Sequence, residues 1–239
     1  MSPADGHYRG GVLSAIALTP SAPVLVPELA GAAAAEVAEF RAAALAAAAE
    51  LPQRWIAVGV GPDDRTIDPE TRGTFAGYGV DVSAALSPDA PADVTALPLC
   101  ALFTGWLRGQ ANPAARAQVR VYRADHDADS AVAAGRALRA EIDAAGEPIG
   151  VLVVADGANT LTPPAPGGYD PNAEPVQTAL DDALATGDTE ALTRLPDGIV
   201  GRVGYQVLAG LIGSGPRAAK ELVRGAPYGV GYFVGVWVP

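Results

Sequence analysis

The sequence predicts an α/β fold, with a mostly parallel central sheet that carries helices on both faces. Three observations predict it: apolar, strand-like runs alternate with helix-like segments, two of those runs are apolar throughout as in strands buried on both faces, and proline or glycine closes most of them. The length of 239 residues and the apolar share of 49% allow one sizeable core. We therefore expect a single domain over residues 1–239, with residues 1–10 as a loose N-terminus.

The first half of the chain contains two predicted strands and one long predicted helix. Residues 12–18 form an apolar run, and the three prolines that follow within eight residues hold an extended loop. Residues 28–51 are alanine-rich without internal proline, which predicts one helix that Pro52 ends. Residues 55–60 are continuously apolar and predict a central strand. Residues 64–98 are rich in Gly, Pro, Asp and Thr, which predicts an irregular segment across the sheet edge with short β pieces such as Val80-Asp81-Val82.

The second half repeats the alternation of strands and helices. Residues 97–107 predict a packed helix with Cys100 in the core, and residues 118–122 alternate as a strand does. Residues 127–130 offer N-cap side chains for a helix that ends at Gly146. The next strand is predicted at residues 149–154 and the last at residues 230–238. The remaining predicted helices are residues 173–185, 188–195, 199–211 and 216–223.

Composition argues against nucleic-acid and membrane partners and indicates a reducing compartment. The formal net charge of −11 repels nucleic-acid phosphates and anionic membranes, and the sequence shows no basic patch that would override it. The run at residues 12–18 is too short to span a bilayer, and no targeting segment is evident. A single cysteine cannot close an intrachain disulfide, which fits a reducing compartment. We expect a cytoplasmic protein without nucleic-acid or membrane partners, and homo-oligomer formation stays open.

Several short motifs favour structural over functional interpretations. Gly59-Val60-Gly61 lacks the third glycine and the helix that seat a pyrophosphate. Residues 213–216 are either a helix N-terminus that binds an anion or, as we favour, a turn between two helices with Pro216 at the first helical position. His7 and His126 have no metal-ligand partner at useful spacing. Ser214 lacks the spacing of a nucleophile elbow.

Three polar loops follow predicted strands and carry the candidate site. Ligands of open α/β sheets bind beyond the carboxyl ends of the strands, so we expect Ser21, Asp63 and Asn159 to converge. Asp156 is expected to anchor its loop through backbone N–H groups. Asn159 and the adjacent Thr160 either hydrogen-bond a ligand or cap the loop.

The acidic pair after residues 55–60 has two interpretations. Asp63 and Asp64 could coordinate a hard cation or take part in general acid–base chemistry. Equally, Asp64 and Arg65 could form a turn with a local ion pair.

Four segments, in order along the chain, resemble motifs of the class III extradiol ring-cleavage dioxygenases, the LigB-like superfamily. Each family motif is a loop that follows or precedes a strand, and the matches extend from about Leu18 to Val236. The matching segments are residues 20–28, residues 61–63, residues 155–159 followed by 166–170, and residues 225–232. The resemblance implies a single LigB-like α/β domain.

The same resemblance identifies positions at which the chain departs from the family. Family members hold Fe(II) with two histidines and one glutamate, and a further histidine is the acid–base catalyst. The matching positions here are Ser21, Asp63 and Gly225 for the ligands and Asn159 for the catalyst. Only Asp63 can act as a ligand, and two neutral imidazoles with one carboxylate are needed to retain iron. We therefore expect no ring cleavage, no bound cofactor and no metal.

Three hypotheses remain. In the first, a degenerate LigB-like protein, a pseudoenzyme, binds a small molecule through the former cleft or a protein partner. In the second, the chain is an enzyme, either an extradiol-type dioxygenase with relocated ligands or a hard-metal enzyme using carboxylates. In the third, it is a structural or interaction protein with a filled cleft. The candidate cleft residues are Ser21, Asp63, Asp64, Asp156, Asn159, Thr160, Gly225 and Tyr228, and the relocated ligands would come from Asp63, Asp64 and Asp156 with Glu28 or Glu221.

Overall fold

The computed structural model describes residues 13–239. His7 and the predicted loose N-terminus at residues 1–10 lie outside the described residues. The strands are β1 (Leu13–Thr19), β2 (Arg54–Gly61), β3 (Arg65–Ile67), β4 (Arg72–Thr74), β5 (Ser83–Ala85), β6 (Arg116–Arg123), β7 (Ile149–Val154), β8 (Ala218–Gly225) and β9 (Tyr232–Val238). The α-helices are α1 (Pro27–Ala30), α2 (Ala38–Ala49), α3 (Leu99–Ala111), α4 (Ala128–Ala144), α5 (Ala173–Thr186), α6 (Thr189–Thr193) and α7 (Arg202–Ile212).

Seven strands form the central sheet in the order β3-β6-β2-β7-β1-β9-β8. The four strands β6, β2, β7 and β1 are parallel to one another, as predicted. The strands outside them, β3 on one side and β9 and β8 on the other, are antiparallel to their neighbours. The sheet is therefore parallel at its centre and mixed overall. β4 and β5 form a separate hairpin.

Each central strand supplies apolar side chains to both faces of the sheet. In β2, Trp55 and Ala57 join the buried cluster under α2 and α3, whereas Ile56 and Val58 join the cluster under α4, α5 and α7. Successive side chains of a strand point to opposite faces, so a strand covered on both sides needs apolar residues throughout. The helices on both faces are confirmed, and they explain the unbroken apolar runs.

Close packing accounts for the glycines of the Gly59-Val60-Gly61 motif. A Cβ atom on Gly59 would lie 2.4 Å from Cβ of Cys100 in α3, and one on Gly61 would lie 2.5 Å from Cγ1 of Val121 in β6. These glycines let α3 and β6 approach the backbone of β2. Cys100 is buried, as predicted, and burial raises the pKa of its thiol to about 11.

The predicted helix over residues 28–51 is wrong in its extent. The structure has α1, a 3₁₀ turn from Gly31 to Ala34, and α2 beginning at Ala38. Gly31 has a φ of 53°, a left-handed conformation that ends α1. Alanine-rich composition favours helix along the whole segment, but it does not indicate where the axis changes.

The predicted helix over residues 216–223 is wrong in type, because Ala218 to Gly225 form β8. The sequence has high helix propensity, yet its backbone pairs with β9 along the whole strand. Residues 213–216 therefore join helix α7 to a strand, and no helix begins at Pro216. Neither the anion-binding helix terminus nor the turn between two helices is present there.

Most remaining predictions about the elements are confirmed. Asp127 caps α4 by accepting the N–H of Ser130, and Gly146 beyond the end of α4 has a φ of 73°. The segment after β2 contains short β pieces as predicted, the edge strand β3 and the β4–β5 hairpin, but Val80-Asp81-Val82 is not a strand and β5 begins at Ser83. Within residues 13–239, no helix is long and apolar enough to cross a membrane.

Candidate functional site

The central strands end at the same level, which places their loops side by side. Val154 at the end of β7 is paired with Thr19 of β1 on one side and with Gly59 of β2 on the other. The polar loops after β1 and β7 therefore leave the sheet next to each other. The sequence predicted that Ser21, Asp63 and Asn159 converge, from the general position of ligand sites in open sheets, and the loops of Ser21 and Asn159 are adjacent here.

Asp156 joins the loops that follow β1 and β7. The main-chain N–H of Ser21 donates to Oδ1 of Asp156 at 2.8 Å. The second carboxylate oxygen makes no hydrogen bond to a described residue, and the residue as a whole is partly buried. Desolvation in this partly buried position raises the pKa of Asp156 to about 6, although the Ser21 N–H opposes the shift. The predicted anchoring by a backbone N–H is present, but the donor belongs to the neighbouring loop.

The loop after β7 is also attached to the segment that precedes β9. The N–H of Gly157 donates to the carbonyl of Gly231 at 2.8 Å, and the N–H of Gly231 donates to the carbonyl of Ala158 at 2.8 Å. Leu161 donates to the carbonyl of Gly229 at 3.1 Å. Backbone pairing thus holds the C-terminal segment against the Asp156 loop.

Two buried polar residues of α5 support this loop, and sequence reasoning missed both. Gln177 accepts the N–H of Ala158 at 2.8 Å and donates through Nε2 to Oδ1 of Asp181 at 2.8 Å. Both side chains are buried, and desolvation raises the pKa of Asp181 to about 6. Residues four apart lie on one face of a helix, and here that face also carries the buried Leu180 and Leu184. Two polar residues on an apolar helix face were the available signal.

Two buried tyrosines lie close enough to Asp156 to sense its charge. Tyr205 donates its hydroxyl to the carbonyl of Ala155 at 2.8 Å. Burial raises the pKa of Tyr205 and of Tyr232, and the negative charge of Asp156 adds to both shifts. Both phenols remain protonated near neutral pH. The surroundings of Asp156 are therefore aromatic and poor in positive charge.

Asn159 and Thr160 shape their own loop. A Cβ atom on Gly167 would lie 2.4 Å from Oδ1 of Asn159, so that side chain packs against the backbone of Gly167. The carbonyl of Asn159 accepts the N–H of Gly167, and the carbonyl of Thr160 accepts that of Asp170. Both hydrogen bonds are made by the main chain, so both alternatives for the Asn159 and Thr160 side chains stay open.

Gly225 and Tyr228 lie in the segment between β8 and β9. A Cβ atom on Gly225 would lie 3.1 Å from the ring of Phe40. Tyr228 is 44% exposed, and its hydroxyl donates to Oε2 of Glu36 at 2.7 Å. Its φ of 60° lies in the left-handed region, where a non-glycine residue is uncommon and often marks a functional position.

Asp64 faces the end of β6, and Asp63 is paired with the nearby Arg65. Nε of Arg65 lies 3.8 Å from Oδ2 of Asp63, so the local ion pair involves Asp63, not Asp64 as expected. Asp64 accepts the N–H of Arg123 and lies 2.8 Å from Nε2 of His126. The Arg123 N–H, followed by the His126 hydrogen bond, holds the pKa of Asp64 below its usual value.

The carboxylates considered as relocated metal ligands have separate partners. Asp64 is engaged with His126, Asp156 with Ser21, and Glu221 with Arg224. In residues 13–239, no three His, Cys, Asp or Glu side chains are grouped so that they could share a metal ion.

Comparison with known proteins supports the fold alone. Neither a protein-family model nor a curated protein matches this chain. Among solved structures, the chain is similar to the crystal structure of the uncharacterized protein JW3007 from Escherichia coli K12. The TM-score is 0.57 at 14% identity, and the match covers 95% of this chain and 100% of that chain. The α/β fold of this chain is therefore shared with a protein of solved structure.

Proposed function

We propose that this chain is a LigB-like protein without the Fe(II) triad, and that it binds a small molecule through the former active-site cleft. Asp156 carries this proposal. Its carboxyl group lies beyond the end of a central parallel strand, is partly buried, and has one oxygen without a hydrogen-bond partner among the described residues. A desolvated carboxylate with a free oxygen at this end of an α/β sheet is typical of a binding position.

The chemistry around Asp156 indicates the class of ligand. Above a pH of about 6 the carboxyl group is ionised and accepts hydrogen bonds from hydroxyl or amine groups. The buried rings of Tyr205 and Tyr232 lie near this carboxyl group and make its surroundings apolar. A small, hydroxylated aromatic molecule matches both features. A protein partner that inserts such a side chain is the alternative.

The donor set at the matched positions supports the loss of iron. Ser21 offers a hydroxyl, Gly225 offers no side chain, and Asp63 is beside Arg65 on a different part of the sheet edge. These groups do not fit a site that needs two imidazoles and one carboxylate.

The proposal also includes a cytoplasmic location. The single cysteine, Cys100, is buried and unpaired, which is consistent with a reducing compartment.

Metal analysis after anaerobic Fe(II) reconstitution tests the loss of oxygenase chemistry. We expect iron well below one equivalent and no oxygen consumption with a catechol. Stoichiometric iron together with oxygen consumption that disappears in Asp63→Ala would reject the proposal. It would establish the alternative of a metal-dependent enzyme with relocated ligands.

A thermal-shift screen with catechols and small acids tests binding at the cleft. We expect a catechol to raise the melting temperature of the native protein, and the rise to be lost in Asp156→Ala. Asp63→Ala is the matched control, because it removes an exposed carboxylate from the next loop and should respond like the native protein. An equal rise in Asp156→Ala would show that Asp156 does not contribute to binding.

A further inference from the structure

A cavity lies between α3 and the β4–β5 hairpin, and none of the residues around Asp156 line it. Its volume is about 300 Å³, within the range for a small ligand. Arg72, Ser87, Trp106 and Arg108 are among the residues that line it. The cavity therefore brings two guanidinium groups together with a hydroxyl and an aromatic ring.

Arg108 is almost fully buried but has only neutral partners. Its Nε donates to the carbonyl of Ala85 at 2.7 Å, and its Nη1 donates to the carbonyls of Pro113 at 2.6 Å and Ala115 at 3.3 Å. Nη2 makes no hydrogen bond to a described residue, and Arg108 lines the cavity. These contacts attach the end of α3 to the strands, but they do not balance the charge. One edge of the guanidinium remains available to a ligand.

Arg72 provides a second positive charge beside the first. Its three nitrogens donate to the carbonyls of Pro91 and Ala90 and to the hydroxyl of Ser83. Burial and the nearby charge of Arg72 lower the pKa of Arg108. Among residues 13–239, no carboxylate oxygen lies within 4.0 Å of either guanidinium, although Glu28 also lines the cavity. In a chain with 27 acidic residues, two adjacent arginines without an acidic partner suggest that the counter-charge comes from outside.

The buried side chain of Ser87 independently indicates a ligand. The residue is completely buried, its Oγ has no hydrogen-bond partner, and it lines the same cavity. A buried hydroxyl without a partner destabilises a fold, and a ligand oxygen that accepts its hydrogen would remove that penalty.

We propose that this cavity binds a small organic oxyanion, a carboxylate or a phosphate, through Arg72, Arg108 and Ser87. Guanidinium groups recognise both anions through paired N–H donors, and the Ser87 hydroxyl adds a third donor. The organic part of the ligand would contact Trp106. This site is separate from the Asp156 cleft and does not depend on the function proposed for that cleft.

Isothermal titration of the full chain with inorganic phosphate and with succinate, at constant ionic strength, tests the proposal. We expect one site, with affinity about tenfold weaker in Arg72→Gln and about threefold weaker in Ser87→Ala. Arg136→Gln is the matched control, since it removes an exposed arginine on α4 and should bind like the native protein. Binding of phosphate alone or of succinate alone identifies the anion that the site prefers.

Ser87→Ala keeps the test decisive where an arginine variant fails to fold. Replacing the hydroxymethyl side chain of Ser87 by a methyl group removes an unpaired buried hydroxyl, which should leave the melting temperature of the free protein equal or higher. Weaker binding at a retained melting temperature supports the proposal. Absence of binding to the native protein, or equal affinity in the native protein, Ser87→Ala and Arg136→Gln, overturns it.

Discussion

Asp156 and Asp64 follow neighbouring strands at the same edge of the sheet, yet their surroundings differ. Asp156 follows β7, the middle strand, and is partly buried between the loops of β1 and β9. Asp64 follows β2 but turns toward β6, where its side chain is 51% exposed and contacts His126. The pKa of Asp156 is raised, whereas the pKa of Asp64 is lowered. Neighbouring loops, more than position along the sheet edge, set the protonation behaviour of these carboxyl groups.

The comparison also separates two kinds of stabilisation. The Asp156 loop is supported by buried groups, with Gln177 and Asp181 beneath it and Tyr205 beside it. The Asp64 corner is held by exposed charges, which water and salt screen. Changes in the buried network should therefore have larger effects than changes at the exposed corner.

The largest effect is expected from Gln177→Leu. The substitution leaves the N–H of Ala158 and the carboxyl group of Asp181 without their buried partner. We expect a loss of about 2–4 kcal/mol in the free energy of unfolding, since each orphaned polar group costs about 1–3 kcal/mol. Urea denaturation followed by circular dichroism measures it.

Thr178→Ala is the control for Gln177→Leu, because Thr178 is the next residue of α5 and is exposed. Its effect should stay within about 0.5 kcal/mol, as for most surface substitutions. A loss in Gln177→Leu no larger than in the control would mean that the loop does not depend on the buried network.

The sequence predicted the central architecture well because periodicity reports burial. The unbroken apolar runs of β2 and β7 identified strands covered on both faces, and the alternation of strands with helices indicated a mostly parallel sheet. The sequence also predicted that the loops after β1 and β7 meet. These features depend on local pattern, which a single sequence contains.

Several features that the sequence did not predict depend on contacts between distant segments. Residues 218–225 have the composition of a helix, and only pairing with β9 makes them a strand. The contact between Asp64 and His126 joins residues 62 positions apart, and nothing in the local sequence specifies it. Arg72, Ser87 and Arg108 approach one another for the same reason, through the hairpin that folds over α3.

Asp156→Asn tests whether burial of this carboxyl group makes folding pH-dependent. The pKa rises from 3.8 to about 6 on folding, so the folded state binds the proton more tightly, and stability falls as pH increases between these values. Asparagine cannot ionise but can still accept the Ser21 N–H. We expect the free energy of unfolding of the variant to exceed that of the native protein by about 1–2 kcal/mol at pH 8. The whole pKa difference corresponds to about 3 kcal/mol, but the group is partly exposed, which reduces the effect.

At about pH 4 most of the gain in the free energy of unfolding of Asp156→Asn over the native protein should disappear, since Asp156 is then protonated in the folded protein. Denaturant unfolding at both pH values measures the difference. Asp63→Asn, the exposed control, should follow the native protein at each pH. An Asp156→Asn variant that is less stable than the native protein at pH 8 would show that the ionised carboxylate stabilises the fold.

The smallest effect is expected from Asp64→Asn, and its pH dependence should have the opposite sign. A lowered pKa means that the ionised group stabilises the fold above pH 3.8 and that this contribution is lost as pH falls through the lowered value. The side chain is half exposed, and asparagine can still accept the Arg123 N–H. We therefore expect Asp64→Asn to lower the free energy of unfolding by less than about 1 kcal/mol at pH 7, and the loss to shrink in high salt. Unfolding measured at low and high salt detects it. If Asp64→Asn instead gained stability at pH 7, as expected for Asp156→Asn, the two carboxyl groups would share one environment and the distinction between the buried loop and the exposed corner would fail.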